Sequence, residues 1–239
     1  MRVVSTAKLA TCHLLLAIKI WLSTMSLITL TDPRSPVSEA YRTLRTNLSF
    51  YSLDHPIRSL VVTSAAPGEG KSTTVANLAV TMAQSGRRTI LVDCDLRRPS
   101  LHTLLGCQES PGLTNVVLGE VEALPLQQTA VDNLLLLASG PKPPNPADLL
   151  GSKKVDQLIA QLMEQADIVL FDAPPVVAVT DSVVLGSKVD GVLLVVSAGK
   201  TRRDHAERAK ETLAKAKVRI VGVTLTNAPK DTGLGSYYG

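Results

Sequence analysis

The stretch SAAPGEGKSTT, from Ser64 to Thr74, combines glycines, a lysine and hydroxyl side chains at a spacing suited to phosphate binding. It matches the pattern G-x-x-x-x-G-K-[ST], except that Ala65 stands where the first glycine is usual. A small residue serves there, because the work of the loop is to present backbone N–H groups to phosphate oxygens at a helix start. An ordinary glycine-rich turn is the alternative. We expect a nucleotide-binding loop made of Ala66, Pro67, Gly68, Glu69, Gly70, Lys71, Ser72 and Thr73.

Three aspartates that end apolar runs offer the carboxylates that a phosphate loop needs. Asp93 and Asp95 lie in TILVDCDLRRP, and Asp172 lies in DIVLFDAPP. Ligands of open α/β sheets bind at the carboxyl ends of the strands, where carboxylates hold Mg²⁺ and position the attacking group. A helix cap or a turn is the alternative role for each. We expect catalytic roles for Lys71, Asp93, Asp95 and Asp172, and Mg²⁺ ligation by Ser72, Asp93 and Asp172.

The basic residues near these aspartates have separate expected roles. Lys71 supplies a cation to the β- and γ-phosphates, next to the hydroxyl of Ser72. Arg97 and Arg98 face phosphate or a neighbouring subunit, or form an ordinary solvated pair.

Apolar runs alternate with helical patterns, which predicts the elements that position these residues. Strands are expected in SLVVTS, RTILVDCD, NLLLLASG, DIVLFDAPP, GVLLVVSAG and VRIVGVTLTNAP. A helix over VSEAYRTLRTNLSFYS is capped by Ser35 or Ser38, and the helix after the phosphate loop ends at Gly86. The alternation predicts one α/β domain over residues 25–230, with a doubly wound, mostly parallel sheet covered by helices on both faces.

Composition limits the possible partners and compartments. The chain has 239 residues and a net charge of +4, an ordinary surface that gives no reason to expect a nucleic acid partner. Cys12, Cys94 and Cys107 are too few and too scattered for a disulfide framework or a metal knuckle, which indicates a reducing, cytoplasmic compartment. We expect Cys94 to pack in the core.

The segment 1–24 has a basic start and an apolar middle that Lys19 interrupts. The apolar run is shorter than the roughly 20 residues that span a bilayer. We expect a disordered extension, or translation that begins at Met25. An amphipathic helix on the membrane surface or a true anchor is the alternative. The glycine-rich segment 231–239 is expected to be a mobile tail.

Three motifs together resemble the Walker A, Walker A′ and Walker B set of bacterial tyrosine kinases, the BY-kinases of capsule and exopolysaccharide synthesis. They are SAAPGEGKSTT, ILVDCDLRRP and IVLFDAPP. SEAYRTLRTNL resembles the E-x-x-R-x-x-R oligomerisation motif of that family, with Glu39, Arg42 and Arg45 three residues apart. The wider superfamily of P-loop NTPases includes positioning ATPases of the ParA/MinD type. Their loop carries an early lysine, and Ala66 stands at that place here.

This resemblance implies a protein-tyrosine autokinase that uses ATP and Mg²⁺ and regulates polysaccharide synthesis and export. It implies a phosphorylated tyrosine tail, here Tyr237 and Tyr238, further protein tyrosine substrates, and a ring-like homo-oligomer. It also implies recruitment to the inner face of the cell membrane by a transmembrane polysaccharide co-polymerase adaptor. We expect adenine contacts from Asn227 and Pro229, where the last strand ends. The alternatives are a ParA/MinD-like positioning ATPase and an ATP-responsive scaffold with little kinase activity.

Overall fold

A single sheet organises the protein, for which the computed structural model describes residues 27–54 and 56–228. Within these ranges, seven strands lie in the order β3-β4-β2-β5-β1-β6-β7. They are β1 (Ser59–Ser64), β2 (Thr89–Asp93), β3 (Gln127–Gln128), β4 (Leu134–Leu137), β5 (Ile168–Asp172), β6 (Gly191–Ser197) and β7 (Ile220–Thr226). β3 is antiparallel to β4, and the other five pairings are parallel. The predicted mostly parallel sheet is confirmed.

Helices connect the strands and cover the sheet. In the described part of the chain they are α1 (Ile28–Thr31), α2 (Pro36–Asp54), α3 (Lys71–Gln84), α4 (Leu101–Leu105), α5 (Leu113–Leu118), α6 (Pro146–Gly151), α7 (Lys153–Gln165), α8 (Asp181–Gly186) and α9 (Arg203–Lys215). None of the helices described is long and apolar enough to cross a bilayer.

The core has two layers because alternate strand residues point to opposite faces of the sheet. On one face, α2, α3 and α4 bury residues such as Leu48, Leu78 and Leu101 against the strands. On the other face, α7 and α9 bury residues such as Leu158 and Leu213. The sheet is therefore doubly wound, as the alternation of strands and helices predicts.

Local sequence determines where the longer helices begin and end. The Ser35 hydroxyl accepts the Ser38 N–H at 3.2 Å, so Ser35 is the N-cap of α2. Ser38 instead ties α2 to the preceding segment through its hydroxyl, which donates to the Asp32 carbonyl at 2.7 Å. Gly86 adopts a φ of 87° just beyond α3, a left-handed conformation that suits glycine and ends the helix.

Two small elements were not predicted. α1 has only four residues, and β3 consists of two glutamines that pair with the edge of β4. Neither has enough apolar periodicity to be recognised in the sequence. The expectations for segments 1–24 and 231–239 concern residues outside the described ranges.

Candidate active site

Three neighbouring strands bring the predicted site residues to one edge of the sheet. β5 lies between β2 and β1, and all three run parallel. Asp93, the last residue of β2, is the register partner of Asp172, the last residue of β5. The phosphate loop follows β1 directly. Carboxylates from two strand ends therefore lie beside the loop, at the edge where open α/β sheets bind ligands.

The phosphate loop owes its shape to glycine and to burial of its first residue. Gly68 and Gly70 have φ angles of 72° and 88°, and α3 begins immediately after Gly70. Ala65 has no exposed surface, and its N–H donates to the Val195 carbonyl at 3.3 Å. The Ala65 methyl group therefore packs in the core, and the loop adopts its shape without a glycine at the first position.

Lys71 is the cation at the centre of the site. Its Nζ lies 2.7 Å from Asp95 Oδ2 and 3.2 Å from Asp172 Oδ1. It also donates to the Ser72 hydroxyl at 3.0 Å. Three other predicted residues therefore lie within hydrogen-bonding distance of the Lys71 ammonium group.

Burial and charge oppose each other in this cluster, and the pKa values of Lys71 and Asp172 are both raised overall. Burial alone would lower the pKa of Lys71, but Asp172 and Asp95 outweigh it and raise that pKa. Burial raises the pKa of Asp172, while the Lys71 charge and the Ser72 hydrogen bond oppose the shift. Lys71 stays charged at neutral pH and stabilises the carboxylates around it.

Asp93 has a different environment from the other two aspartates. Its Oδ2 accepts the N–H groups of Ser100 and Leu101 at 2.9 and 3.0 Å, and its Oδ1 accepts the Asp95 N–H at 3.2 Å. Burial, followed by the charge of Asp172, raises the pKa of Asp93 to about 7. The carboxyl group holds the turn after β2 against the start of α4, so both of its oxygens are already engaged.

Mg²⁺ fits the oxygen atoms at the floor of the site. The Ser72 hydroxyl lies 2.5 Å from Asp172 Oδ2, so a hydroxyl and a carboxylate are adjacent at the start of α3. No group of three or more His, Cys, Asp or Glu side chains suited to a metal occurs among the residues described. A hydroxyl and one carboxylate suit Mg²⁺, which commonly takes one or two carboxylates and completes its octahedron with phosphate oxygens and water.

A cleft of about 420 Å³ opens over the loop and Asp95. Its outer wall combines apolar side chains with two arginines: Pro174, Pro175, Ala178, Val179, Arg97 and Arg98. Arg97 makes a bidentate ion pair with the fully buried Asp181, at 2.9 and 3.1 Å. This pair fixes one of the two arginines beside the cleft. Sequence patterns indicate only that Asp181 begins a helix.

Two further predicted site residues, Glu69 and Asn227, form hydrogen bonds with other protein groups. Glu69 is buried, and its carboxylate accepts the N–H of Ala66 at 3.0 Å and the hydroxyl of Thr201 at 2.5 Å. Asn227 Nδ2 donates to the Ser197 hydroxyl at 2.9 Å, just beyond the end of β7. Pro229, Tyr237 and Tyr238 lie outside the described residues.

The predicted oligomerisation residues lie on α2, which packs against α3. Arg42 pairs with Glu39 at 2.8 Å and donates to the Pro33 carbonyl at 2.6 Å. Arg45 donates to the Thr81 carbonyl of α3 at 2.8 Å. Arg45 therefore also stabilises the subunit itself.

Comparisons with known proteins agree with this geometry. The ParA family described as NUBPL iron-transfer P-loop NTPase matches residues 57–227. Tyrosine-protein kinase YwqD of Bacillus subtilis is 45% identical over 201 residues, which cover 84% of this chain and 85% of the relative.

Solved structures of related proteins show the same fold. The chimerical protein CapA2B2 superposes with a TM-score of 0.83 at 36% identity, over 86% of this chain and 91% of that one. The kinase domain of the Escherichia coli tyrosine kinase ETK superposes with a TM-score of 0.82 at 30% identity, over 86% and 81% of the two chains. With its Walker-type loop and paired aspartates on a ParA-type sheet, the chain belongs to the family of bacterial tyrosine-protein kinases.

Proposed function

We propose that the chain transfers the γ-phosphoryl group of ATP, bound with Mg²⁺, to tyrosine hydroxyls, and that its own Tyr237 and Tyr238 are acceptors. The observation that carries this proposal is the position of Lys71 between Asp95 and Asp172 at the floor of an open cleft. A single cation and flanking carboxylates suit a reaction whose catalysis depends on positioning and charge stabilisation.

Lys71 acts by changing partners. Without nucleotide, its ammonium group balances the two carboxylates. With nucleotide, it donates to the β- and γ-phosphate oxygens and stabilises the charge that develops as phosphoryl transfer proceeds. Ser72 and Asp172 would hold Mg²⁺, which would supply further positive charge to the phosphates. The N–H groups from Ala66 to Thr73, at the start of α3, hold the phosphates in place.

The two aspartates of the β2 turn have separate roles in this proposal. Asp95 lines the cleft and contacts Lys71, so it is placed to accept the proton of an incoming phenol. A phenol with a pKa of about 10 gives up that proton only as the new bond forms. The hydrogen bonds of Asp93 to backbone N–H groups favour a positioning role, in which it holds the turn that carries Asp95.

The outer wall of the cleft suits an aromatic acceptor. Pro174, Pro175, Ala178 and Val179 offer apolar surface to a tyrosine ring. Arg98, which lines the same cleft, adds positive charge beside that surface. The same wall would serve the chain's own tail or another protein tyrosine substrate.

We extend the proposal to the setting implied by the family resemblance. The kinase acts in capsular or exopolysaccharide synthesis, in the cytoplasm, and a transmembrane co-polymerase adaptor recruits it to the inner face of the membrane. Subunits form a ring through Glu39, Arg42 and Arg45, and the tail of one subunit reaches the cleft of another. A head-to-tail contact that closes on itself gives such a ring.

The direct test is phosphorylation by the purified protein. The chain, with and without a cytoplasmic adaptor fragment, is incubated with labelled ATP and Mg²⁺, and the modified residues are mapped. We expect phosphotyrosine at Tyr237 and Tyr238, and none in a Lys71→Met control. ATP hydrolysis without any phosphotyrosine would favour a positioning ATPase, and nucleotide binding without turnover would favour a scaffold.

A further inference from the structure

Glu69 is an unusual member of the phosphate loop because its carboxylate points into protein. Only 1% of the residue is exposed. One carboxylate oxygen accepts the N–H of Ala66 at 3.0 Å, and the other accepts the hydroxyl of Thr201 at 2.5 Å. A buried carboxylate is costly unless donors satisfy it. These two donors therefore determine where the Glu69 side chain lies.

Thr201 is well placed to hold this carboxylate. It lies in the turn between β6 and α9, and its hydroxyl oxygen also accepts the Ser197 N–H at 2.8 Å. That second bond orients the hydroxyl proton toward Glu69. The hydroxyl thus links the end of a central β-strand to the phosphate loop, across 132 residues of sequence.

Two further contacts join the same region to the loop. Lys200, beside Thr201, donates from Nζ to the Gly68 carbonyl at 2.8 Å. Thr226, at the end of β7, donates from its hydroxyl to the Glu69 carbonyl at 2.7 Å. These hydrogen bonds hold the outer side of the loop through protein groups alone, without a bound nucleotide.

We propose that Thr201 is a positioning residue for the phosphates of the bound nucleotide and acts through Glu69. The inference rests on the proposed function of the loop as a nucleotide site. With the Thr201 hydroxyl in place, Glu69 holds Ala66 and keeps the loop in the shape that phosphate requires. Without it, the Glu69 carboxylate loses one of its two donors and turns toward water. The loop must then be ordered by the nucleotide itself, which weakens binding.

The test compares Thr201→Val, which removes the hydroxyl at nearly constant shape, with Thr201→Ser, which keeps it. Thr212→Val is the matched control, because the Thr212 hydroxyl bonds the Arg208 carbonyl on the exposed face of α9. Affinity is measured with Mg²⁺ and a fluorescent ATP analogue, and KM and kcat are measured by tail phosphorylation. Melting temperature without nucleotide is recorded for each variant.

We expect Thr201→Val to raise both the Kd of the analogue and the KM for ATP about tenfold, as loss of a hydrogen bond to a charged group does. We expect kcat to change less than about threefold, because the groups that contact the transferred phosphoryl remain. Thr201→Ser should restore wild-type values, and Thr212→Val should match the wild type. A purely structural role would lower the melting temperature of Thr201→Val and leave the Kd of the folded protein unchanged, which would overturn the inference.

Glu69→Gln gives an independent test, because it leaves the bond between Thr201 and Ser197 intact. The amide of Gln cannot accept both donors, so the same rise in Kd is expected even if Thr201→Val does not fold. Wild-type affinity in Glu69→Gln would also contradict the inference. Failure of the wild type to bind Mg²⁺ with the analogue would instead contradict the proposed function.

Discussion

Asp93 and Asp172 lie opposite each other as register partners on the parallel strands β2 and β5, and both are fully buried. Two carboxyl groups this close do not ionise independently, because each charge disfavours the other. Burial and the charge of Asp172 raise the pKa of Asp93 to about 7. Lys71 forms ion pairs with Asp95 and Asp172, and its charge offsets only part of the rise in the pKa of Asp93.

A pH dependence of stability follows from this pair. The folded protein holds a proton on Asp93 up to about pH 7, whereas the unfolded chain releases it near an ordinary aspartate pKa of about 3.9. More protons are bound in the folded state between these values, so stability falls as pH rises from about 4 to about 7. We expect Asp93→Asn, studied without nucleotide or Mg²⁺, to be more stable relative to the wild type at pH 8 than at pH 5.

Thermal unfolding at the two pH values checks this. Asp148→Asn, at an exposed position of α6, is the control for replacing a surface carboxylate with an amide. An equal difference between Asp93→Asn and the wild type at pH 5 and pH 8 would show that Asp93 does not titrate in this range.

Replacing the central cation tests the site directly. We expect Lys71→Met to lower tyrosine phosphorylation by at least about a hundredfold, because it removes a charge aimed at the transferred group. The fold should persist. The nucleotide-free variant should lose on the order of 3 kcal/mol of stability at pH 8, since Asp95 and Asp172 lose their counter-ion.

The loss of stability in Lys71→Met should be smaller at pH 6, because burial raises the pKa of Asp172 and this carboxyl group is more readily protonated at lower pH. Lys153→Met, on the exposed first turn of α7, is the control for the loss of a surface charge. Undiminished autophosphorylation in Lys71→Met would refute the active-site assignment.

Substitutions on α2 can distinguish residues that hold subunits together from residues that stabilise one subunit. Glu39→Ala with Arg42→Ala removes a half-buried ion pair and the hydrogen bond of Arg42 to the exposed Pro33 carbonyl, each of which contributes at most about 1 kcal/mol within the chain. We expect this double variant to give a smaller particle by light scattering and a slightly lower melting temperature. Arg45→Ala should also lower the melting temperature, because it removes the hydrogen bond to Thr81.

The pair Arg203 and Glu207 on α9 provides the matched control, since it is an exposed ion pair at helical spacing away from α2. Alanine at both positions should leave the particle mass unchanged. If the wild type is monomeric under every condition, including with adaptor, ATP and Mg²⁺, the interface proposal is wrong.

Phosphorylation of the tyrosine tail is expected to destabilise the ring of subunits. Each phosphotyrosine carries about −1.5 to −2 charges, which the carboxylates Asp93, Asp95 and Asp172 repel. We expect the wild type with adaptor, ATP and Mg²⁺ to disassemble with time, while Tyr237→Phe with Tyr238→Phe stays oligomeric. This double variant should still phosphorylate the tail of an added Lys71→Met subunit. If it does not, the tyrosines belong to the catalytic machinery.

Sequence patterns identify the parts of the site that depend on local chemistry. The phosphate loop, the apolar strands and the aspartates at their ends are recognisable because strand, turn and helix each impose a spacing on neighbouring residues. The sheet brings Lys71, Ser72, Asp95 and Asp172 together as expected. These contacts follow from adjacent strands that end at one edge.

Contacts between distant segments were not predictable in the same way. Nothing in the spacing of PGEGK indicates that Glu69 turns away from phosphate, since its partner Thr201 comes from a turn 132 residues later. The role of Arg45 in holding α3 and the burial of Asp181 beneath Arg97 are similar cases. Each depends on which elements pack together, a property of the whole fold.

The hydrogen bond from Thr226 to the Glu69 carbonyl places the root of the tyrosine tail beside the phosphate loop. Tyr237 is eleven residues beyond Thr226, a reach of at most about 40 Å for an extended chain. An acceptor on so short a tether is presented to any cleft within reach at an effective concentration on the order of millimolar. In the proposed function, other protein substrates compete with tail tyrosines whose local concentration does not fall on dilution. We expect their phosphorylation to rise when the tail is removed.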